Sequence, residues 1–195
     1  MARYDADHKQ ATRRRIIEAA GRRFKQDGID GSGIATLMAD AGLTNGAFYA
    51  HFDSKEDLVA EVVRHELDVQ LGAMDGLPAG RAGLEAYVSQ YLSPEHRDNA
   101  ADGCPAAALL DELGRCSVST RRAFADGLEH VLAEIAARLS PANPPSARRL
   151  ALALHTSMLG TLQLSRAVTD PALAREILEE GREHALRLVR SRPRS

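Results

Sequence analysis

The residues with the most chemistry to offer stand close together. From Thr44 to Lys55 the chain reads Thr44-Asn45-Gly46-Ala47-Phe48-Tyr49-Ala50-His51-Phe52-Asp53-Ser54-Lys55. A hydroxyl, a carboxamide, a phenol, an imidazole and an ammonium group therefore fall within one short run. Groups of this kind reach phosphate oxygens and base edges. No catalytic constellation accompanies them. The sequence holds no Gly-x-Ser-x-Gly, no phosphate loop and no Cys/His set at zinc spacing. The pairs Glu61/His65, His130/Glu134 and Glu180/His184 are four residues apart, a spacing that solvated charges on amphipathic helices share. The expectation is a protein that is not an enzyme and has no metal or cofactor.

Cys104 is the other residue with distinctive chemistry. Gly103-Cys104-Pro105 reads as a helix start with proline at the first helical position. Backbone N–H groups there favour a thiolate and raise reactivity; the alternative is a small buried residue closing a helix contact. Cys116 reads as core on the same helix, about 18 Å away, too far for a disulfide.

The elements that must position these groups are helices. Alanine and leucine abound, and no stretch alternates apolar with polar residues as a half-buried strand would. Breakers separate helical segments at 8–26, 34–41, 45–51, 55–73, 81–92, 105–116, 119–139, 146–168 and 172–190, about nine helices in an all-α chain. Ser93-Pro94, Gly103, Ser117, Pro141 to Pro145 and Asp170-Pro171 are the punctuation. Ile34 to Phe52, turning at Gly42, spells a helix-turn-helix (33–52) whose second helix enters a major groove. Leu37, Ala41, Leu43, Phe48 and Phe52 are spaced to pack its helices together. Thr44, Asn45, Ala47, Tyr49 and His51 then point outward.

The run Ala41-Gly42-Leu43-Thr44-Asn45-Gly46-Ala47-Phe48-Tyr49-Ala50-His51-Phe52-Asp53-Ser54-Lys55-Glu56-Asp57-Leu58 closely resembles the signature of the TetR/AcrR family of transcriptional regulators. The likeness is dense from residue 12 to about 60. Two positions depart from the usual pattern: Gly33 stands where relatives often have Ser or Thr, and Leu37-Met38 where they commonly have Ile-Ala. The resemblance supports phosphate contacts for Tyr49, His51 and Lys55. Tyr49 has a core edge as its alternative, and His51 a cationic cap on the helix dipole. Asn45 and Ala47 are the base-reading candidates, by hydrogen bonds to a base edge and contact with a thymine methyl. Thr44 either bonds phosphate or caps, Gly46 lets backbone approach DNA, and Thr36 is a phosphate or groove-edge candidate.

Charge distribution agrees with that placement. Residues 1–25 carry net +5, although the 195-residue chain carries −2. The first helix lines Ile16, Ile17, Ala20 and Phe24 on one stripe, with Arg14, Arg15, Arg22 and Lys25 projecting from the opposite side. A basic head on an acidic body suggests a polyanion partner at one end.

Residues 8–68 are thus expected to form the DNA-binding domain and 69–195 an effector-binding and dimerisation body. The segment 146–168 is apolar nearly all round, so it has a second side to bury. The resemblance implies a homodimer through 146–168 and 172–190 and a pocket for a small-molecule effector. Tyr87, Tyr91, Cys104, Leu109, Phe124, Leu128, His155 and Met158 are the candidate pocket residues. The function so implied is a repressor released from a palindromic double-stranded DNA operator by a small molecule. The alternatives are a DNA-binding protein without an effector and a small helical enzyme. Polar residues at the start and apolar runs no longer than five exclude a signal peptide and a transmembrane helix, so a cytoplasmic protein with no membrane partner is expected.

Overall fold

The computed structural model describes the backbone of residues 2–191 and the side chains of residues 7–191. The described residues form helices and turns without a strand. Helix α1 spans Ala2–Asp27, α2 Ile34–Asp40 and α3 Lys55–Asp75, with a 3-10 segment at Asn45–Ala50 between the last two. The body adds α4 (Gly80–Tyr91), α5 (Pro94–Asp98), α6 (Pro105–Leu113), α7 (Val118–Leu139), α8 (Arg148–Ala167) and α9 (Pro171–Arg190). A second 3-10 segment, Pro144–Ala147, leads into α8.

Two apolar clusters organise these helices. The head cluster joins Ile16, Phe24, Leu37, Met38, Phe48, Phe52, Leu58 and Val62. The body cluster joins Leu84, Val88, Val131, Ile135, Leu154, Met158, Leu162 and Leu178. Helix α3 serves both, giving Leu58 to Leu67 to the head and Met74 to the body. Helix α6 also serves both: Ala106 and Ala107 pack in the body, Leu109 and Leu113 in the head.

Several sequence expectations need correction. Ser93-Pro94 begins a helix rather than only ending one: the Ser93 hydroxyl accepts from His96 N–H, with Pro94 at the first helical turn. The segment expected as the helix 45–51 is wound as 3-10. Helix α6 stops at Leu113, so Cys116 lies beyond it and is half-buried. Lys25 does not project into solvent; its side chain is 3% exposed.

Candidate nucleic-acid interface and the cavity behind it

The recognition segment is held from beneath by large apolar side chains. Phe48 and Phe52 are buried, with ring centroids 5.7 Å apart. Gly42, at φ +66°, makes the turn, and Leu43 N–H donates to Met38 carbonyl at 2.9 Å. That left-handed conformation strains any residue with a Cβ. Arg13 fixes the underside: its guanidinium lies 4.7 Å above the Phe52 ring and donates to Glu61 at 2.9 Å. Arg23 clamps α1 to the end of α2 through two bonds to Asp40, at 2.7 and 3.0 Å. Part of the basic head is therefore structural. Arg14, Arg15 and Arg22 remain exposed.

On the outer side Thr36, Thr44, Asn45 and Gly46 are exposed, and Tyr49 is 70% exposed. Tyr49 keeps one packing contact, its ring standing edge-on to that of Phe48 with centroids 5.2 Å apart. Ala47 is half-buried and packs against the head cluster. Thr44 precedes the recognition segment, but its side chain makes no capping hydrogen bond.

Two expected contacts look different in three dimensions. Lys55 turns inward, and its Nζ donates to Ile29 carbonyl at 2.5 Å, pinning the loop between α1 and α2. His51 is half-buried, and burial together with Lys9 and Arg13 pushes its pKa below the ordinary histidine value. The cationic cap suggested by the sequence is therefore not the favoured form. Its Nδ1 is buried and has no hydrogen-bond partner.

The body contains a cavity of about 290 Å³ between α3, α4 and the start of α6. Of the candidate pocket residues, Tyr87, Tyr91 and Cys104 line it. Leu109 belongs to the head cluster instead, because α6 turns its last residues toward the head. Met158 and His155 are buried, Phe124 bridges both clusters, and Leu128 is half-buried on α7; none of the four lines the cavity. Sequence reasoning missed the rest of the wall, including the polar residues Glu66, Gln70, Gln90 and His96. His96 is bonded at both ring nitrogens: Nδ1 donates to Tyr91 carbonyl and Nε2 accepts Cys104 N–H at 3.0 Å. Burial pushes its pKa down, consistent with the neutral ring this pattern needs.

Cys104 is 4% exposed, and its thiol donates to Gln70 Oε1 at 3.4 Å. Burial raises its pKa, although Tyr91 and the Ala106 and Ala107 N–H groups pull the other way. The helix start thus supplies the expected N–H groups, yet desolvation outweighs them.

Body and head meet at two polar joints, one of them at the cavity wall. Lys25 of α1 donates to Glu66 of α3 at 2.5 Å and to Gly103 carbonyl at 3.2 Å. Glu66 and Gly103 both line the cavity. Gly21 leaves room for this carboxylate, since a Cβ there would overlap Glu66. At the other end of α6, Glu112 Oε2 accepts Ile29 N–H at 2.7 Å and Asp30 N–H at 3.1 Å. Both partners lie more than 80 residues earlier in the chain, so no local pattern announces the contact.

Residues 16–62 match the family described as bacterial regulatory proteins, tetR family. The chain is 33% identical over 89 residues to the HTH-type transcriptional repressor KstR2 of Rhodococcus jostii, covering 44% of each chain. It is 35% identical over 99 residues to the uncharacterized HTH-type transcriptional regulator TtgW of Pseudomonas putida, covering 49% of this chain and 72% of that one. KstR2 and other relatives are matched over less than half their own length. Among solved structures, the reduced form of NemR from E. coli superposes with a TM-score of 0.76 at 22% identity, over 90% of this chain and 95% of that one. At that identity the likeness is one of fold.

Proposed function

The chain belongs to the TetR family of bacterial transcriptional regulators, and on that premise we propose that it is a homodimeric repressor released from a palindromic operator by a small molecule. One observation carries the DNA-binding half of this reading. Thr44, Asn45, Gly46 and Tyr49 are exposed together on a segment that buried Phe48 and Phe52 hold in place. Side chains left in water on a rigid support are free to meet a groove, and the exposed arginines of α1 add attraction for phosphate. The relative KstR2 is a transcriptional repressor, which favours repression over activation.

Dimerisation is supported by α8 and α9. Leu152 and Leu164 on α8 and Leu173 on α9 are exposed apolar side chains, while the opposite faces of both helices are buried in the body. A second copy covering them would remove that surface from water and present two recognition segments. Entry to successive major grooves requires them about 34–36 Å apart.

Release by a ligand is supported by the course of α3 and α6, each of which has one end in the body cluster and the other in the head. A molecule that reshapes the cavity acts on Glu66 and Gly103, which hold Lys25 of the first helix. Ordinary couplings of this kind are worth about 1–3 kcal/mol.

Selection from a randomised duplex library at two salt concentrations tests the proposal. A palindromic sequence should be enriched, with affinity falling steeply as salt rises. Asn45→Ala should relax the base preference while sedimentation still gives a dimer. Failure to enrich any sequence over bulk DNA, or a wild type that sediments as a monomer, would overturn the reading.

A further inference from the structure

One peptide group in the cavity wall is held from both sides. The N–H of Cys104 donates to His96 Nε2 at 3.0 Å, and the carbonyl of the same peptide, that of Gly103, accepts from Lys25 Nζ at 3.2 Å. A trans peptide points these two atoms in opposite directions. His96 therefore grips the group from one side and Lys25, which belongs to α1, from the other. Gly103 permits the approach, because a Cβ there would come within 2.7 Å of His96 Nε2.

The contacts continue at each end. Beyond Lys25 lies Glu66 of α3, at 2.5 Å. The other ring nitrogen of His96, Nδ1, lies 2.6 Å from the Tyr91 carbonyl at the end of α4. A chain of hydrogen bonds thus runs from α4 through the ring and the peptide to α1 and α3, and each bond in such a chain polarises the next. Its direction is fixed. Nε2 must accept from Cys104, so the ring's one proton sits on Nδ1 and is donated to Tyr91. The rest of His96 is anchored as well. Its N–H donates to the Ser93 hydroxyl, its carbonyl accepts from Arg166, and its ring stands edge-on to Tyr91 with centroids 4.8 Å apart.

A second proton on the ring is incompatible with this chain. An Nε2–H would face the Cys104 N–H, donor against donor, and the two groups must part. Movement of the peptide then takes the Gly103 carbonyl away from Lys25. The surroundings hold the ring neutral: burial, Arg166 of α8 and Lys25 of α1 all disfavour a charge there, although the Tyr91 carbonyl favours one. The carboxylates of the adjoining elements are occupied, Glu66 by Lys25, Asp98 by Arg97 and Asp102 by the Asn99 carboxamide.

We propose that His96 is the positioning residue of the joint between body and head: its neutral ring holds the Gly103–Cys104 peptide where Lys25 needs it, and a proton on Nε2 opens the joint. His96 also lines the cavity, so a molecule bound there acts on the same latch. That last step rests on the reading that the body binds an effector. The hold is complete at pH 7.5 and fades as pH falls through the ring's folded-state value, which lies below the ordinary 6.5.

Amide hydrogen exchange and NMR on the full-length protein at pH 7.5 and pH 5 test this. After correction for intrinsic exchange, protection at the Cys104 amide should fall at least about fivefold in wild type, roughly the worth of one hydrogen bond. The nitrogen signal of the Lys25 ammonium should move with it, and protection at Val131 in the body core should fall by less. His96→Gln supplies a carboxamide that donates to Tyr91 and accepts from Cys104 but does not titrate, so its Cys104 protection should change by less than about twofold. His96→Leu, which does neither, should give low protection at both pH values. If that variant did not fold, wild type and His96→Gln would decide.

Unchanged protection at Cys104 in wild type, an equal loss in His96→Gln, a Lys25 signal that ignores the change, or a loss shared equally by Val131 would overturn the proposal. Operator affinity tests the effector reading separately. If acid weakens binding to the selected duplex no more in wild type than in His96→Gln while Cys104 still responds, the latch stands and its part in DNA release falls. If no duplex is selected and Cys104 still responds, the regulator reading falls alone.

Discussion

Phe48 and Tyr49 are neighbours in sequence and opposites in burial, whereas Tyr87 and Tyr91, one helical turn apart, are both buried. The recognition segment separates its two tasks by residue: one set of side chains holds the fold, another meets solvent. The cavity wall assigns both tasks to the same residues, since Tyr87 and Tyr91 pack in the body cluster and also bound the open space. On the recognition face, chemistry can change at little cost to the fold. In the cavity, every change in what can bind is also a change in packing.

The largest effect should come from crossing that division in the head. Phe48→Ala removes a fully buried ring and should cost about 3–5 kcal/mol. Tyr49→Ala loses only an edge contact with Phe48 and should cost about 0.5–1.5 kcal/mol in stability yet lose DNA affinity. Urea melts paired with gel shifts would show the two effects falling on different residues. Comparable destabilisation by both would erase the distinction.

Next is the joint between the two regions. Glu66→Leu leaves the Lys25 ammonium buried and unpaired, which should cost about 3–5 kcal/mol. Lys25→Met combined with Glu66→Leu should recover most of that loss, because two apolar groups replace both charges. A thermodynamic cycle over these variants measures the coupling. If the double variant were as unstable as the sum of the singles, the pair would not act as a unit.

A smaller effect is expected at the far end of α6. Glu112→Ala strips the acceptor from Ile29 and Asp30 N–H and should cost about 1–3 kcal/mol. Hydrogen exchange at those two amides should accelerate with it. Unchanged exchange would mean that water replaces the carboxylate at no loss.

pH provides the finest comparison. His96 and His155 in the body and His51 in the head all have pKa values lowered chiefly by burial. For each, the unfolded chain binds a proton more readily than the folded one. Their contribution to stability is present above the unfolded histidine value of about 6.5 and is lost as pH falls toward the folded values. Thermal melts between pH 8 and pH 5 should show this decline, and His155→Phe should flatten part of it if the ring packs equally well. An unchanged slope would place the acid sensitivity elsewhere.

The course of the head's helices was largely legible in the sequence, whereas contacts between residues far apart in the chain, in head and body alike, were not. A loop glycine at Gly42 marks the bend, and Phe48 and Phe52 stand out as the large apolar residues to be buried beneath it. Ala47 and His51, expected to point outward, are nevertheless half-buried because the segment winds as a 3-10 helix. Lys25 reads as one more basic group in a cationic helix because Glu66 lies 41 residues away. Lys55 reads as free for the same reason, its Ile29 partner being 26 residues back. Leu109 fits an apolar pocket by type, yet α6 crosses from one cluster to the other, and periodicity carries no sign of which cluster a face meets. Ser93-Pro94 carried a start signal as well as a stop, and only the structure decides between them.

The buried Lys25–Glu66 pair also bears on how such a chain can diverge. Losing either charge alone leads through an unstable intermediate, whereas losing both leads to a packed and neutral core. The two positions are therefore separated from their apolar alternative by a fitness valley that single substitutions cross only at a loss. Exposed Thr44, Asn45 and Tyr49 face no such valley. Change there can proceed one residue at a time, whereas the charged connection between body and head gives way without loss only when both partners change together.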